Sequence, residues 1–297
     1  MIGWIFKRKP EIGKRKALIT GSSGMIGAAV ARALPGDAEK IGLDLLPGPH
    51  TTHQGDICDS RLLGRLMPGV DVVFHVAALH APHVGQRSEA DFRRVNIDGT
   101  EALLEAARAA KVRRFVLTST TSVYGCTTRV KSEAVWVTED LPPFPEDIYD
   151  VTKLGAEDLC RRASSVDFTV VALRVARCFP EQPYLMAFYR LYRGVDLRDT
   201  ATAHLLAARA TLKPFSIFKI SADSPFLRAD CQLLWTDPWK VIDQRSPGLR
   251  RAFEERRWPH PQRIDRVYVI EKAKKELGYR PEFGVDALLG SNPPLTE

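Results

Sequence analysis

Hydrophobic and polar positions along the chain follow two periods. Short, almost wholly apolar runs bounded by glycine or polar residues, "KALIT" (Ala17 to Thr20 at its core), "EKIGLD", "DVVFHVAA" and "RRFVLTST", read as buried strands. Between them, an alanine-rich stretch running to Leu34 and "DFRRVNIDGTEALLEAARAA" repeat apolar residues every three to four positions, the period of an amphipathic helix. Strand and helix in alternation predict an α/β fold, a doubly wound parallel sheet with helices on both faces. Ligands of such sheets sit beyond the carboxyl ends of the strands, so the residues that follow each apolar run are where chemistry is expected.

The first of these junctions is the most informative. "KALITGSSGMIGAAVARAL" places Gly21, Gly24 and Gly27 in GxxGxxG spacing between a strand and a helix. Gly21 permits the tight turn, Gly24 lets a dinucleotide pyrophosphate approach the backbone, and Gly27 lets helix and strand pack closely, with Ser23, Met25 and Ile26 at the phosphate-facing helix start. The second strand ends in Asp44, about 20 residues on, where a carboxylate can accept hydrogen bonds from adenosine ribose hydroxyls. A carboxylate repels a 2′-phosphate, and no Arg or Lys follows in "LLPGPH", so the expected cofactor is NAD rather than NADP. In "QGDICD", Asp56 is a candidate for the adenine amino group, with Ile57 beside it.

Composition changes this picture little. The 297 residues, 44% of them hydrophobic, contain no run of 18 apolar residues that could span a membrane, and the short "MIGWIF" is no signal peptide. Five cysteines without a CxxC pair suit reduced thiols, so a cytoplasmic protein is expected. Five of the seven net positive charges lie in residues 1–16, leaving the body almost neutral and arguing against a nucleic-acid partner. Trp4, Ile5 and Phe6 beside that basic run could touch an anionic membrane, but a solvated extension is the favoured reading. His75, His80 and His83 lie close together in "HVAALHAPH", but no carboxylate or cysteine completes a ligand set, and no metal is expected. His80 is placed in the substrate pocket, and His75 in the core or beside the cofactor. Cys126 reads as a packing thiol.

Six motifs in one order carry a resemblance: GxxGxxG, Asp44, "HVAAL", Asn96 in "RVNIDGT", "STTSVYG" and Tyr149-x-x-x-Lys153. The chain resembles the extended short-chain dehydrogenase/reductases, the NAD-dependent epimerase/dehydratase family, from about residue 16 to 222 and again at "IEKAKKELGYRPEFG". The resemblance implies an enzyme with Tyr149 as catalytic acid/base, Lys153 as its partner and Thr120 as a hydroxyl holding the substrate oxygen. It brings Ala77, Ala78, Asn96 and Thr118 to the cofactor alongside Tyr149 and Lys153, and implies homodimerisation through helices around 96–110 and 149–163. Physical chemistry supports the central pair: a phenol titrates near pH 10, and Lys153, on the same helical face, supplies the positive charge that favours its anion.

The expected layout is a basic extension at 1–15, an NAD-binding Rossmann-like domain at 16–175 whose sheet is completed by about 195–222, and a small substrate lobe from 176–194 and 223–297. Dehydratases of the family carry an acid directly after the catalytic Thr, where this chain has Thr121 and Ser122, both expected at the substrate. The stretch "LRVARCFPEQPYLMAFYRLYRGV" is short for a nucleoside-diphosphate clamp and is similar to that of uronate dehydrogenases, which places Arg174 against a substrate carboxylate. The expected activity is hydride transfer from a carbinol carbon of a polar, sugar-like substrate. The alternatives are an NAD-retaining sugar-nucleotide epimerase and a non-catalytic NAD-binding regulatory protein.

Overall fold

The computed structural model describes residues 16–128 and 132–290, so the basic extension and the Cys126 side chain lie outside the described residues. The first half runs β1 (Lys16–Thr20), α1 (Met25–Ala33), β2 (Glu39–Asp44), β3 (His53–Gln54), α2 (Ser60–Leu66), β4 (Val72–His75), α3 (Glu89–Arg93), α4 (Gly99–Ala109) and β5 (Arg114–Thr120). It continues through β6 (Val135–Val137), α5 (Ile148–Ala163), β7 (Thr169–Val175), α6 (Pro183–Arg190), α7 (Leu197–Ala207) and β8 (Phe215–Ile220). The remainder is α8 (Cys231–Thr236), α9 (Pro238–Arg245), α10 (Leu249–Glu255), β9 (Arg266–Tyr268), α11 (Glu271–Leu277) and α12 (Val285–Gly290).

Seven strands form one parallel sheet in the order β3-β2-β1-β4-β5-β7-β8. Strand order reverses between β1 and β4, which opens the ligand crevice at their carboxyl ends. Alternate residues of each strand feed two apolar layers. On β5, Val116 packs with Val30 and Ala203 on the α1 and α7 face, while Phe115 and Leu117 pack with Leu103 and Ala156 on the α4 and α5 face. A third apolar cluster joins Phe188, Leu191, Leu234, Trp239, Phe253 and Val267, and β6 pairs with β9 beside it.

The helix expected over 91–110 is continuous from α3 into α4, with one widened turn at 94–98 between them, and within that turn Asn96 is 1% exposed. The amphipathic period alone carries no sign of the widening, because apolar residues continue through it in helical register.

Candidate active site

The glycine loop reaches its shape through backbone crowding. Gly21 has φ of +71°, and a Cβ there would lie 2.7 Å from the Ala77 nitrogen, while one on Gly27 would lie 2.0 Å from the Gly21 carbonyl oxygen. Gly24 differs: its Cβ would meet only that same oxygen, at 3.3 Å. Internal packing therefore demands glycine far less at 24 than at 21 or 27, and the bare backbone there starts α1, a helix with no side-chain cap on its N-terminal amides. Those free N–H groups and the helix dipole suit a pyrophosphate. The Asp44 carboxylate accepts from the Ser23 amide at 2.9 Å and the Leu46 amide at 3.0 Å, which holds it beside the loop. The Ser23 hydroxyl donates to the Leu46 carbonyl and meets Thr51, so it serves the loop's own structure. Met25 is exposed and Ile26 half-buried at this same end.

Across the crevice, Thr20 Oγ1 accepts from the amides of Val76 and Ala77, fixing the strand exit that carries Ala77 and Ala78. His75 bridges Thr20 and Thr100 at 2.8 and 2.9 Å, and burial, with Lys153 adding to it, holds its imidazole down to about 3, so it is a neutral core residue. Asp56 accepts from the Cys58 amide and pairs with Arg94 at 2.8 Å, and Ile57 packs under Gly99. The Asp56 carboxylate thus reaches an adenine only in competition with Arg94.

Four of the expected site residues turn their side chains to partners within the protein. Asn96 donates to the Leu79 carbonyl and Thr152 Oγ1 and accepts from the Leu79 amide, so it clamps the β4 exit to α5. Thr118 points to the α7 face and meets His204 Nε2 at 2.8 Å. Thr121 is buried against β7, its hydroxyl toward the Val175 carbonyl at 3.4 Å. Arg174 is spent altogether: Nε and Nη2 form a bidentate pair with Glu157 at 2.9 and 2.7 Å, and Nη1 donates to the Tyr124 hydroxyl at 3.0 Å. Both side chains of that ion pair are 5% exposed or less, which leaves no face for a substrate carboxylate.

Thr120, Ser122, Tyr149 and Lys153 do come together. Thr120 Oγ1 lies 2.9 Å from Ser122 Oγ. Burial pushes the Tyr149 phenol well above its ordinary range, and the Thr120 hydroxyl pulls it part of the way back. Asp147 caps α5 by accepting from the Asp150 amide, which fixes where the helix starts and hence where Tyr149 sits. One turn on, Lys153 is buried and makes no hydrogen bond among the described residues. Burial lowers its ammonium to about 8, opposed by the charge of Glu157, the next residue up the same helical face. Glu157 also accepts from Ser119 at 2.6 Å.

Around His80, expected in the substrate pocket, stand residues whose roles were not foreseen. Cys178, its thiol raised to about 11 by burial, is close enough to influence the Tyr149 phenol. His80 stacks on Phe179, rings 5.7 Å apart and 14° from parallel, and its buried Nδ1 has no hydrogen-bond partner. Burial, then His83 and Lys153, lower the His80 imidazole. Glu157 had a readable signal in its spacing of four from Lys153; Cys178 and Phe179 lie in the stretch similar to uronate dehydrogenases, but their contacts had no signal, because only the fold brings the β7 exit against α5. Among the described residues no His, Cys, Asp and Glu cluster is arranged to hold a metal, and no helix is long and apolar enough to cross a membrane.

Comparison with known proteins places this geometry. An uncharacterised UDP-glucose epimerase of Bacillus subtilis is 32% identical over 204 residues, covering 60% of this chain and 61% of that protein. The chain spans less than two thirds of the length of the curated relatives it matches first. Among solved structures, a short-chain dehydrogenase/reductase superfamily protein from Agrobacterium tumefaciens with bound NAD aligns with a TM-score of 0.70 at 23% identity, over 93% of this chain and 95% of that one. A mutated uronate dehydrogenase aligns at 0.67 and 19%, over 92% and 83%. The two structures share the fold. Residues 17–183 match the sequence profile of the NAD dependent epimerase/dehydratase family, and these residues include the whole glycine loop, Asp44, Tyr149 and Lys153. The chain belongs to that family, and the cofactor its nucleotide-binding fold takes is NAD.

Proposed function

We propose that the chain is an oxidoreductase that takes a hydride from a carbinol carbon of a polar, sugar-like substrate, with Tyr149 as acid/base. The observation that carries this reading is a buried lysine, Lys153, with no hydrogen-bond partner among the described residues, one helical turn from a phenol that meets the Thr120 hydroxyl. Burial alone would make Tyr149 a poor acid, so its anion needs positive charge nearby. Lys153 carries that charge below about pH 8, and Glu157 helps to keep it. Gly24, the amides at the start of α1 and Asp44 would hold NAD, with Lys153 free to donate to its nicotinamide ribose. Bound NAD supplies the hydride acceptor. Thr120 holds the substrate hydroxyl, Tyr149 takes its proton, and His80 on Phe179 walls the pocket.

A second reading, a sugar-nucleotide epimerase, is favoured by the description of the Bacillus relative. It uses the same groups but returns the hydride, so it yields no net NADH. A homodimer through α4 and α5 accompanies either reading.

Tyr149→Phe tests the common step. It removes only the ionisable oxygen, so NAD affinity measured by calorimetry should stay near wild type while turnover falls on the order of 10²- to 10⁴-fold. Lys153→Ala should weaken both. Wild-type turnover in Tyr149→Phe would assign the base elsewhere. NADP bound as tightly as NAD would overturn the role given to Asp44.

A further inference from the structure

With Arg174 spent on Glu157, the substrate side of the crevice needs another origin for any anion specificity. Arg177, three residues further, has the right setting. Its backbone is pinned beyond the end of β7, donating to the Arg193 carbonyl at 3.2 Å and accepting from the Val195 amide at 2.9 Å. Its guanidinium lies 6.0 Å from the Phe179 ring and 5.9 Å from the Tyr189 ring. Phe179 is the ring on which His80 stacks, at the loop that leaves β4. Arg177 is therefore part of one wall with His80 and Phe179, at the carboxyl edge of the sheet where the substrate pocket is expected.

The guanidinium already grips a carboxylate. Nε and Nη2 donate to the two oxygens of Glu181, both at 2.6 Å, the fork geometry that Arg uses to recognise carboxylates. The pair is open on one side, with the Arg177 side chain 42% exposed. Arg193, 4.4 Å over the same Tyr189 ring, has no ion pair among the described residues and adds a second positive charge to this face. By contrast, Arg190 and Arg198 are both committed to Asp196.

We propose that Arg177 is the group that holds a substrate carboxylate, and that Glu181 is an internal stand-in which a carboxylated sugar displaces. A solvent-facing ion pair contributes little by itself, so an incoming carboxylate can replace Glu181 without a large loss. The stand-in keeps the arginine fork oriented when no substrate is bound, and it discriminates against uncharged sugars, which cannot replace it. This rests on the hydride-transfer reading only in taking the pocket beside Tyr149 as the substrate's.

The test is a calorimetric titration of the NAD-saturated protein with D-glucuronate and, separately, with D-glucose. Arg177→Ala should weaken glucuronate binding by about tenfold or more, the loss expected for a charge-assisted bidentate contact. Glu181→Gln should tighten it several-fold, because the competing charge is gone while the shape remains. Arg177→Lys should fall between wild type and Arg177→Ala, and unchanged NAD affinity in all three variants certifies the fold. Glucuronate binding unchanged in Arg177→Ala, weakened in Glu181→Gln, or absent from both wild type and Glu181→Gln overturns the assignment. Binding that follows the expected order without any NADH formation supports the site and counts against net oxidation, so the two readings fail separately.

Discussion

The two flanks of the crevice hold their polar groups by different means. Around β1, α1 and β2 the backbone does it: the turn at Gly21, the contact at Gly27 and amide hydrogen bonds to Asp44 set the geometry. Around α5 and β7 side chains do it, through a buried chain from Ser119 to Glu157 to Arg174 to Tyr124. Lys219 on β8 extends it over the Tyr124 ring at 5.6 Å, and it hydrogen-bonds the Val137 carbonyl of β6. The first arrangement needs a few glycines and one acid close together in sequence. The second spans four strands and a helix, and each member is costly to bury unless the others are present.

Removing Arg174 should therefore produce the largest effect. Arg174→Ala leaves Glu157 buried with only Ser119 as a partner, and breaking such a pair costs about 3–5 kcal/mol. The expected outcome is a strong drop in thermal stability with NAD affinity and any sugar affinity lost together, as the fold loosens. Selective loss of sugar binding with the melting temperature intact would restore Arg174 to the substrate site. The double replacement Arg174→Met with Glu157→Leu should recover much of the stability, because it removes both charges at once, yet it should lower the Lys153 pKa by taking away the Glu157 carboxylate.

The same contrast explains what the sequence could reveal. The glycine spacing, Asp44 and the Tyr149 to Lys153 interval are local patterns, and local patterns are dictated by backbone geometry that any reader of the chain can reconstruct. The pairing of Arg174 is illegible in the sequence because its partner lies 17 residues away on another element, and an arginine on a strand looks the same whether it meets Glu157 or a ligand. The same holds for Asn96, Thr118 and Thr121: their positions at the carboxyl edge are legible, but which way each side chain turns depends on the widened turn at 94–98, on His204 and on Val175. Arg177 and Phe179 lie in the stretch similar to uronate dehydrogenases, but nothing in that stretch says what each side chain meets before β7 is set beside α5.

The backbone-built flank offers a sharper, smaller test. Gly27→Ala places a methyl 2.0 Å from a carbonyl oxygen that cannot move without β1, so it should destabilise the fold by at least the roughly 1–3 kcal/mol of ordinary overpacking. Gly24→Ala should lower the melting temperature far less, since its methyl meets the same oxygen at 3.3 Å, a tight contact but not a clash. It should instead weaken NAD, by on the order of tenfold, because the methyl fills the cradle. Equal melting temperatures for the two variants would show that the loop is not held by crowding, and undiminished NAD affinity in Gly24→Ala would place the pyrophosphate elsewhere.

The smallest expected effect lies where the two means of construction meet, at the start of α5. Asp150 is buried beside Tyr149; its Oδ2 accepts from the Glu146 amide at 3.2 Å, and its Oδ1 has no hydrogen-bond partner among the described residues. Burial pushes its carboxyl above the ordinary value of 3.8, with Asp147 and Glu146 adding to the rise, while the Ser122 hydroxyl and the Glu146 amide pull the other way. The sign for stability follows from linkage. Below the unfolded value both states are protonated and Asp150 has no effect; as pH rises through about 3.8 the unfolded chain ionises first, so the folded state loses relative stability until its own, higher pKa is passed. Asp150→Asn cannot ionise and keeps an oxygen for the Glu146 amide. Its melting temperature should match wild type below pH 4 and exceed it slightly at pH 7, read by calorimetry across that range. A variant less stable than wild type at pH 7 would mean that Asp150 is held as a paired anion, and that this flank too is built by charge.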